Sequence, residues 1–275
     1  ADYYGFLAAL RTGQPLTMCS RELPADGAIQ RRLLRDPEFV RAVELFHVGR
    51  VFDARWTWNR LSQRLRGAEL EQAALLAAGE GWHDRAIAAL AQAGARTAYP
   101  WRFPLVERER IEQLGQRHGV DPALVLGLMR AESAMQSDAR SPAGARGLLQ
   151  LMPATAKSMA RAVGVPYSQS RLTSDPGYNA ALGAAFLAEL QSRFDGSFVM
   201  TFAGYNAGPS RVNQWVERYG DPRDPNVDTV NWIERIPFTE TRNYVQRTLE
   251  NLQVYRARLG SPALTIHTDL KRGRV

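Results

Sequence analysis

Cysteine is almost absent: Cys19 is the only one in 275 residues. That excludes an intrachain disulfide and any cysteine-based metal site. Lysine is nearly as scarce. Lys157 and Lys271 are the only two, so 33 of the 35 basic residues are arginine. The four histidines (47, 83, 118 and 267) are scattered without metal-ligand spacing. No apolar run of about 18 residues occurs, so no helix is expected to span a bilayer. Alternating β-branched runs are missing, which argues against strands. The start lacks a charged segment followed by an apolar one, and residue 1 is Ala, not Met. Either a leader has been removed or the chain is a fragment.

What is present suits a folded, water-soluble protein: 45% hydrophobic and 23% charged residues. The length allows one large domain or two ordinary ones. The net charge of +7 and pI near 9.9 favour a polyanionic partner: nucleic acid, an acidic membrane surface or an acidic polymer. Coding bias in an Ala- and Arg-rich genome is an equally simple source of the excess.

The first hundred residues have helical periodicity. A shift of 30 places Leu45, Gly49, Phe52 and Arg55 on Leu75, Gly79, Trp82 and Arg85. The expected unit is helix, glycine turn, aromatic, helix, stacked as in a solenoid. Trp56, Trp58 and Trp82 are then expected in the core. Tyr99-Pro100-Trp101-Arg102-Phe103-Pro104 interrupts the pattern and marks a boundary. The expected division is a helical region over 1–100, a second helical domain over 101–260 and a solvated basic tail over 261–275.

Asp121-Pro122 is a helix start, with Asp as cap and Pro in the first turn. Val125, Leu128, Met129 and Glu132 then share one stripe. A carboxyl on an apolar stripe is desolvated, which suits a general acid. A helix-end Glu paired with Arg130 or Arg140 fits the spacing equally well. The Ser141–Gly147 segment is a tight, small-residue loop open to a polymer chain. Pro153 and Thr155 start another helix. A later helix ends in Tyr205-Asn206-Ala207-Gly208-Pro209, with one Tyr and one Asn as polar probes.

The order of these pieces carries a resemblance. It comprises Glu132-Ser133; Ser141-Pro142-x-Gly144-x-x-Gly147-Leu148-x-Gln150-x-Met152-Pro153-x-Thr155-Ala156; Tyr205-Asn206-Ala207-Gly208; and Ile236-Pro237-Phe238-x-Glu240-Thr241-Arg242-x-Tyr244-Val245. Together they resemble the catalytic domain of the soluble lytic murein transglycosylases of the exolytic type. Residues 1–100 resemble the linker region that precedes that domain, and Tyr3-Tyr4-Gly5-Phe6-Leu7 the end of the family's ring of helices. Leu149 replaces a frequent Met, and Arg146 and Gly204 replace Ser and Ala. Arg146 either contacts a peptide carboxylate or points to solvent.

The resemblance implies an all-α fold, a helical superhelix or linker region followed by a lysozyme-like catalytic domain. It implies Glu132 as the single catalytic acid/base. It places Ser141, Gln150, Met152, Tyr205, Asn206, Glu240 and Tyr244 along a glycan groove. The implied reaction cleaves the β-1,4 bond from N-acetylmuramic acid to N-acetylglucosamine and leaves a 1,6-anhydromuramyl end. The implied protein is a periplasmic monomer acting on peptidoglycan strands, with no cofactor, no metal and no nucleic acid. Any partner enzyme stays unidentified. A hydrolytic muramidase and a non-catalytic glycan-binding scaffold are the alternatives.

Overall fold

The computed structural model describes residues 2–14, 18–260 and 266–273. The chain begins with α1 (Tyr3–Thr12), α2 (Gly27–Leu33), α3 (Pro37–His47), α4 (Val51–Arg64), α5 (Ala68–Gly79), α6 (His83–Gln92) and the single turn α7 (Tyr99–Arg102). It continues with α8 (Arg108–His118), α9 (Pro122–Ser133), α10 (Pro153–Ala162), α11 (Arg171–Ser174) and α12 (Pro176–Arg193). The last helices are α13 (Phe198–Ala207), α14 (Pro209–Tyr219), α15 (Thr229–Glu234), α16 (Thr239–Arg258) and α17 (Ile266–Lys271). Among the described residues the β-structure is limited to isolated bridges, Arg140 to Arg146 and Arg146 to Leu151.

The chain forms two units: Met18–Pro104, and a second that joins α1 to everything from Leu105 onward. The proline-marked boundary thus falls at Pro104. The first residues, however, group with the second unit and not with the linker region. Tyr3, Phe6 and Leu7 are buried on α1. The Tyr4 hydroxyl donates to Glu234 at 2.9 Å, and Gln246 Nε2 donates to the Tyr4 oxygen at 3.0 Å.

In the Met18–Pro104 unit, α3–α4 and α5–α6 are two helix pairs, as expected, but in a different register. The left-handed turn residues are Gly49 and Gly81, 32 positions apart. Each is followed by the same bond, Arg50 N to Leu45 O and Trp82 N to Ala77 O, both 2.8 Å. Gly79 lies inside α5. Matching aromatics gave a shift of 30; the turn, which needs positive φ, sets the true one. Trp58 and Trp82 are buried and meet edge to face at 5.3 Å. Trp56 departs from the core expectation: it is 55% exposed, with the Arg60 guanidinium 4.9 Å above its ring.

The second unit is organised around α9, which is buried on all sides from Ala123 to Met129. Its long neighbour is α16, and Asn251 on α16 donates to the Gly127 carbonyl at 3.0 Å. Asp121 caps α9 through Ala123 N at 2.9 Å, and Arg256 on α16 binds the same carboxylate at 2.8 Å. Arg256 also binds Asp269 on α17 at 2.6 Å, and Gln253 donates to Asp269 at 2.7 Å. Residues 266–273 are therefore no solvated tail: Ile266, Asp269 and Leu270 are buried, and Arg272 stacks over Phe198 at 4.5 Å. Ser261, Pro262 and Arg274 lie outside the described residues.

Removing one partner of a buried charged cluster strands the other. Asp269→Ala is expected to lower the unfolding free energy in urea by about 3 kcal/mol. A loss within experimental error would show that α17 contributes nothing.

Candidate active site

Glu132 sits in the last turn of α9. Because that helix is buried all round, the apolar stripe is only part of a wider apolar surface. The carboxyl meets three unfavourable conditions for ionisation. It is largely enclosed by protein, it lies at a helix C-terminus whose dipole repels anions, and the Glu240 charge is near. Burial is the largest cause and lifts its pKa from 4.5 to about 7; the Tyr244 hydroxyl and the Arg247 charge pull it partly back. Among the described residues Glu132 has no ion pair, with Arg130, Arg140 or any other arginine. Arg247 is exposed and acts at a distance.

Two phenols flank this carboxyl. Tyr244, from the second turn of α16, is 3% exposed. Its hydroxyl lies close enough to favour the Glu132 carboxylate but stops short of normal hydrogen-bond geometry, and no other protein atom satisfies it. Tyr205, from the last turns of α13, donates to the Leu149 carbonyl at 2.7 Å. Burial first, and the Glu132 charge second, push both phenols well above their ordinary range, so both stay protonated.

The segment between α9 and α10 is held by backbone-directed side chains. Asn179 on α12 is fully buried. Its Nδ2 donates to Arg146 O at 2.9 Å and Leu172 O at 3.1 Å, while Oδ1 accepts from Leu149 N at 2.9 Å. Gly147 has φ of 76°, and a Cβ there would lie 2.0 Å from Leu172 O, so no other residue fits. Gln150 Nε2 donates to Ala139 O at 3.2 Å and Gly147 O at 2.8 Å; Ser141 Oγ accepts from Ala145 N at 3.0 Å. Both residues thus shape the loop as well as bordering it. Ala134, Met135 and Gln150 have φ of 50°, 70° and 44°, left-handed values that are strained for side-chain-bearing residues. Such strain, about 1–3 kcal/mol per residue, persists only where surrounding structure enforces it.

The fold therefore brings Tyr205, Tyr244 and Glu240 within electrostatic reach of Glu132. Asn206 follows Tyr205 and accepts from Thr241 Oγ1 at 2.6 Å. Met152 stands at the start of α10, 43% exposed. Arg146 is not simply solvated: it is half-buried and its Nε meets no acceptor in the protein. Sequence reading missed Asn179, Thr241 and Arg247. Only Thr241 lay inside a quoted motif, without an assigned role. A cavity of about 780 Å³ between α8, α10 and α12, lined by Arg117, Met159, Tyr178 and Leu182, shares none of these residues. Among the described residues no cluster of three or more His, Cys, Asp or Glu has the arrangement to hold a metal ion. No described helix is long and apolar enough to cross a membrane.

Comparison with known proteins identifies the family and the fold. The family described as "Transglycosylase SLT domain" matches residues 109–227, and "Soluble lytic murein transglycosylase L domain" matches 32–96. "Soluble lytic transglycosylase helical domain" matches 235–263. The soluble lytic murein transglycosylase of Escherichia coli is 29% identical over 98% of this chain, which spans 41% of that protein. The lytic transglycosylase Slt of Pseudomonas aeruginosa, solved as an inactive Glu-to-Gln mutant, is 36% identical with a TM-score of 0.87, over 96% of this chain and 42% of that one. The 70 kDa soluble lytic transglycosylase of E. coli gives a TM-score of 0.90 at 29% identity, over 99% and 43%. The expected all-α architecture, a helical superhelix region followed by a lysozyme-like domain, agrees with these folds.

A carboxyl whose pKa is higher folded (about 7) than unfolded (4.5) favours folding in its protonated form. That stabilisation is present below pH 4.5 and is lost as pH rises through about 7. Glu132→Gln is therefore expected to match the wild type in stability at pH 4 and exceed it at pH 8, by up to about 3 kcal/mol. Urea unfolding at both pH values checks this; an equal difference at each would exclude the buried-acid account.

Proposed function

The chain belongs to the soluble lytic murein transglycosylase family, and from that premise we propose that it cleaves peptidoglycan strands at the N-acetylmuramic acid to N-acetylglucosamine bond by intramolecular transfer. The observation that carries this reading is a glutamate half-protonated at neutral pH, without a counter-ion, at the end of a buried helix.

The cycle uses one carboxyl twice. Neutral Glu132 gives its proton to the bridging oxygen as the bond to muramyl C1 breaks. The 2-acetamido oxygen of the same sugar supports the positive charge at C1. Glu132, now a carboxylate, removes the proton from the muramyl C6 hydroxyl, and that oxygen closes on C1. The proton count returns to its starting value without water. Glycosidases that retain or invert configuration usually need two carboxylates. Here Glu240 is exposed, and its role in this reading is to raise the Glu132 pKa and contact the glycan.

Tyr244 has the geometry to serve the middle of the cycle. Its hydroxyl bonds the ionised Glu132 more strongly than the neutral one, since an anionic acceptor makes the stronger hydrogen bond. Tyr205 braces the loop through the Leu149 carbonyl, so its proton is committed there. Ser141, Gln150, Met152 and Asn206 complete the proposed glycan groove. The stem peptides of peptidoglycan carry carboxylates, which suits a chain of net charge +7. A location outside the cytoplasm, where that polymer lies, and a monomeric state belong to the same proposal.

Mass spectrometry of material released from purified sacculi is expected to show 1,6-anhydromuropeptides with wild type and none with Glu132→Gln. Reducing muramyl ends would replace this reading with hydrolysis. Wild-type release by Glu132→Gln would remove the catalytic assignment.

The proton donor is lost as Glu132 ionises, so kcat/KM is expected to fall tenfold per pH unit above about 7. A profile flat from pH 6 to pH 9 would exclude Glu132 as the acid.

A further inference from the structure

The cavity between α8, α10 and α12 shares no residue with the site around Glu132, and its volume of about 780 Å³ is that of a ligand site. Its floor is apolar, with Met159 from α10 and Ala181, Leu182 and Ala185 from α12. The α12 residues that line it reach from Gly177 to Glu189, about 18 Å of helix. An extended peptide of five residues spans about 17 Å.

Charge of both signs borders this floor. At the Gly177 end the Arg110 guanidinium lies against the backbone: a Cβ on Gly177 would fall 1.4 Å from Arg110 Nη1. Arg110 is tied to Glu107 at 3.3 Å. Arg171 is engaged twice, by Asp175 at 2.9 Å and over the Tyr178 ring at 4.2 Å. Two charges are left over. Arg117, in the last turn of α8, and Glu189, near the end of α12, are both exposed. Neither makes an ion pair or a hydrogen bond among the described residues. Burial first, and the Arg117 charge second, hold His118 below its ordinary range, so that imidazole is neutral at pH 7 and adds no charge.

The complement of this surface is narrow. An anionic lipid or a polyanion would meet Asp175 and Glu189 and leave the second carboxylate unanswered. A neutral glycan has nothing to offer Arg117. A short peptide with carboxylates, one free amine and small apolar side chains answers all three features.

We propose that this cleft is a second substrate site, one that takes the stem peptide of peptidoglycan: Arg117 and Arg110 receive its carboxylates, Glu189 its free amine, and the floor its small apolar side chains. The inference rests on the peptidoglycan reading above and adds peptide recognition at a place apart from the groove. It also separates two kinds of stem. A free amine pairs with Glu189; an amine turned into an amide by cross-linking has no charge to give.

Titration calorimetry on the full chain tests this with a synthetic stem tetrapeptide, acetylated at its N-terminus, whose third residue carries a free side-chain amine. The peptide is expected to bind, and an excess of N-acetylglucosamine oligomer is expected not to displace it. Acetylating the side-chain amine is expected to weaken binding about fivefold, and Glu189→Gln to abolish that difference between the two peptides. Arg117→Ala is expected to weaken both peptides about fivefold. Ala181→Trp fills the cleft and is expected to abolish binding. Arg117 and Glu189 are exposed, so their variants keep the fold, and release of product from peptide-free glycan stays at the wild-type rate. A structural role for Glu189 predicts that Glu189→Gln shifts both peptides equally, and that result overturns the proposal. So does absence of binding, displacement by the oligomer, or saturation by dodecyl phosphate in place of the peptide. Failed peptide binding with normal release of 1,6-anhydromuropeptides strikes this inference alone. Absence of those products from sacculi strikes the reading beneath it, and this inference falls with it.

Discussion

The second unit is built around a carboxyl that must stay unpaired. Glu132 holds a proton near neutral pH because protein encloses most of it and no arginine among the described residues pairs with it; the Arg247 charge acts only from a distance. In a chain with 33 arginines that is a demanding constraint. A guanidinium within about 4–6 Å lowers a carboxyl pKa by one to three units, which would undo the effect. Other arginines of this unit pair with other acids. Arg256 joins Asp121 and Asp269, Arg171 joins Asp175, and Arg223 joins Asp221. Arg247 remains, but it lies exposed, where solvent weakens its pull.

The same constraint explains the polar network around the loop. An enclosed site cannot carry loose amides and hydroxyls without loss of stability. Asn179 uses both ends of its amide on loop backbone, Gln150 spends its nitrogen on two carbonyls, and Tyr205 gives its proton to Leu149. These bonds hold Gln150 at its positive φ and, with Gly147, fix the path of residues 139–151. Tyr244 is one exception, a buried hydroxyl outside normal hydrogen-bond geometry, and Arg146 Nε in the loop is another. The Tyr244 hydroxyl faces Glu132, and ionisation of that carboxyl strengthens the contact.

The readable part of this architecture was what lies close in sequence. The capped start of α9, the helix break before Pro104, the pairing of α3 with α4 and of α5 with α6, and the apolar stripe that carries Glu132 all follow from neighbours within a few turns, whereas the role of Glu132 came from the resemblance. The repeat register was misread because aromatic spacing is a weaker marker than the glycine that closes the turn, Gly49 or Gly81. The tail was misread because one buried acid, Asp269, meets its partners 13 and 16 residues away on α16. Asn179 and Thr241 carried no assigned role because each finds its site partners some 30 or 35 positions away. Trp56 followed the rule that tryptophans are buried on average, and its own helix face overrode it.

The value of the pKa follows from the proposed use of one group for two opposite proton transfers. A much stronger acid would be ionised before the first transfer; a much weaker one would hold its proton too tightly to be a good donor and, as a carboxylate, would take back the proton meant for the departing oxygen. A value near the working pH compromises between the two steps. Burial alone would overshoot, since a fully enclosed glutamate can rise further still. The opposing pulls of Tyr244 and Arg247 bring it back to about 7. Both come from α16, within four residues of each other, on the helix that also packs along α9 and supplies Thr241 to Asn206. One helix therefore contributes to both the burial and the strength of the acid, which ties the chemistry of this site to a single packing contact.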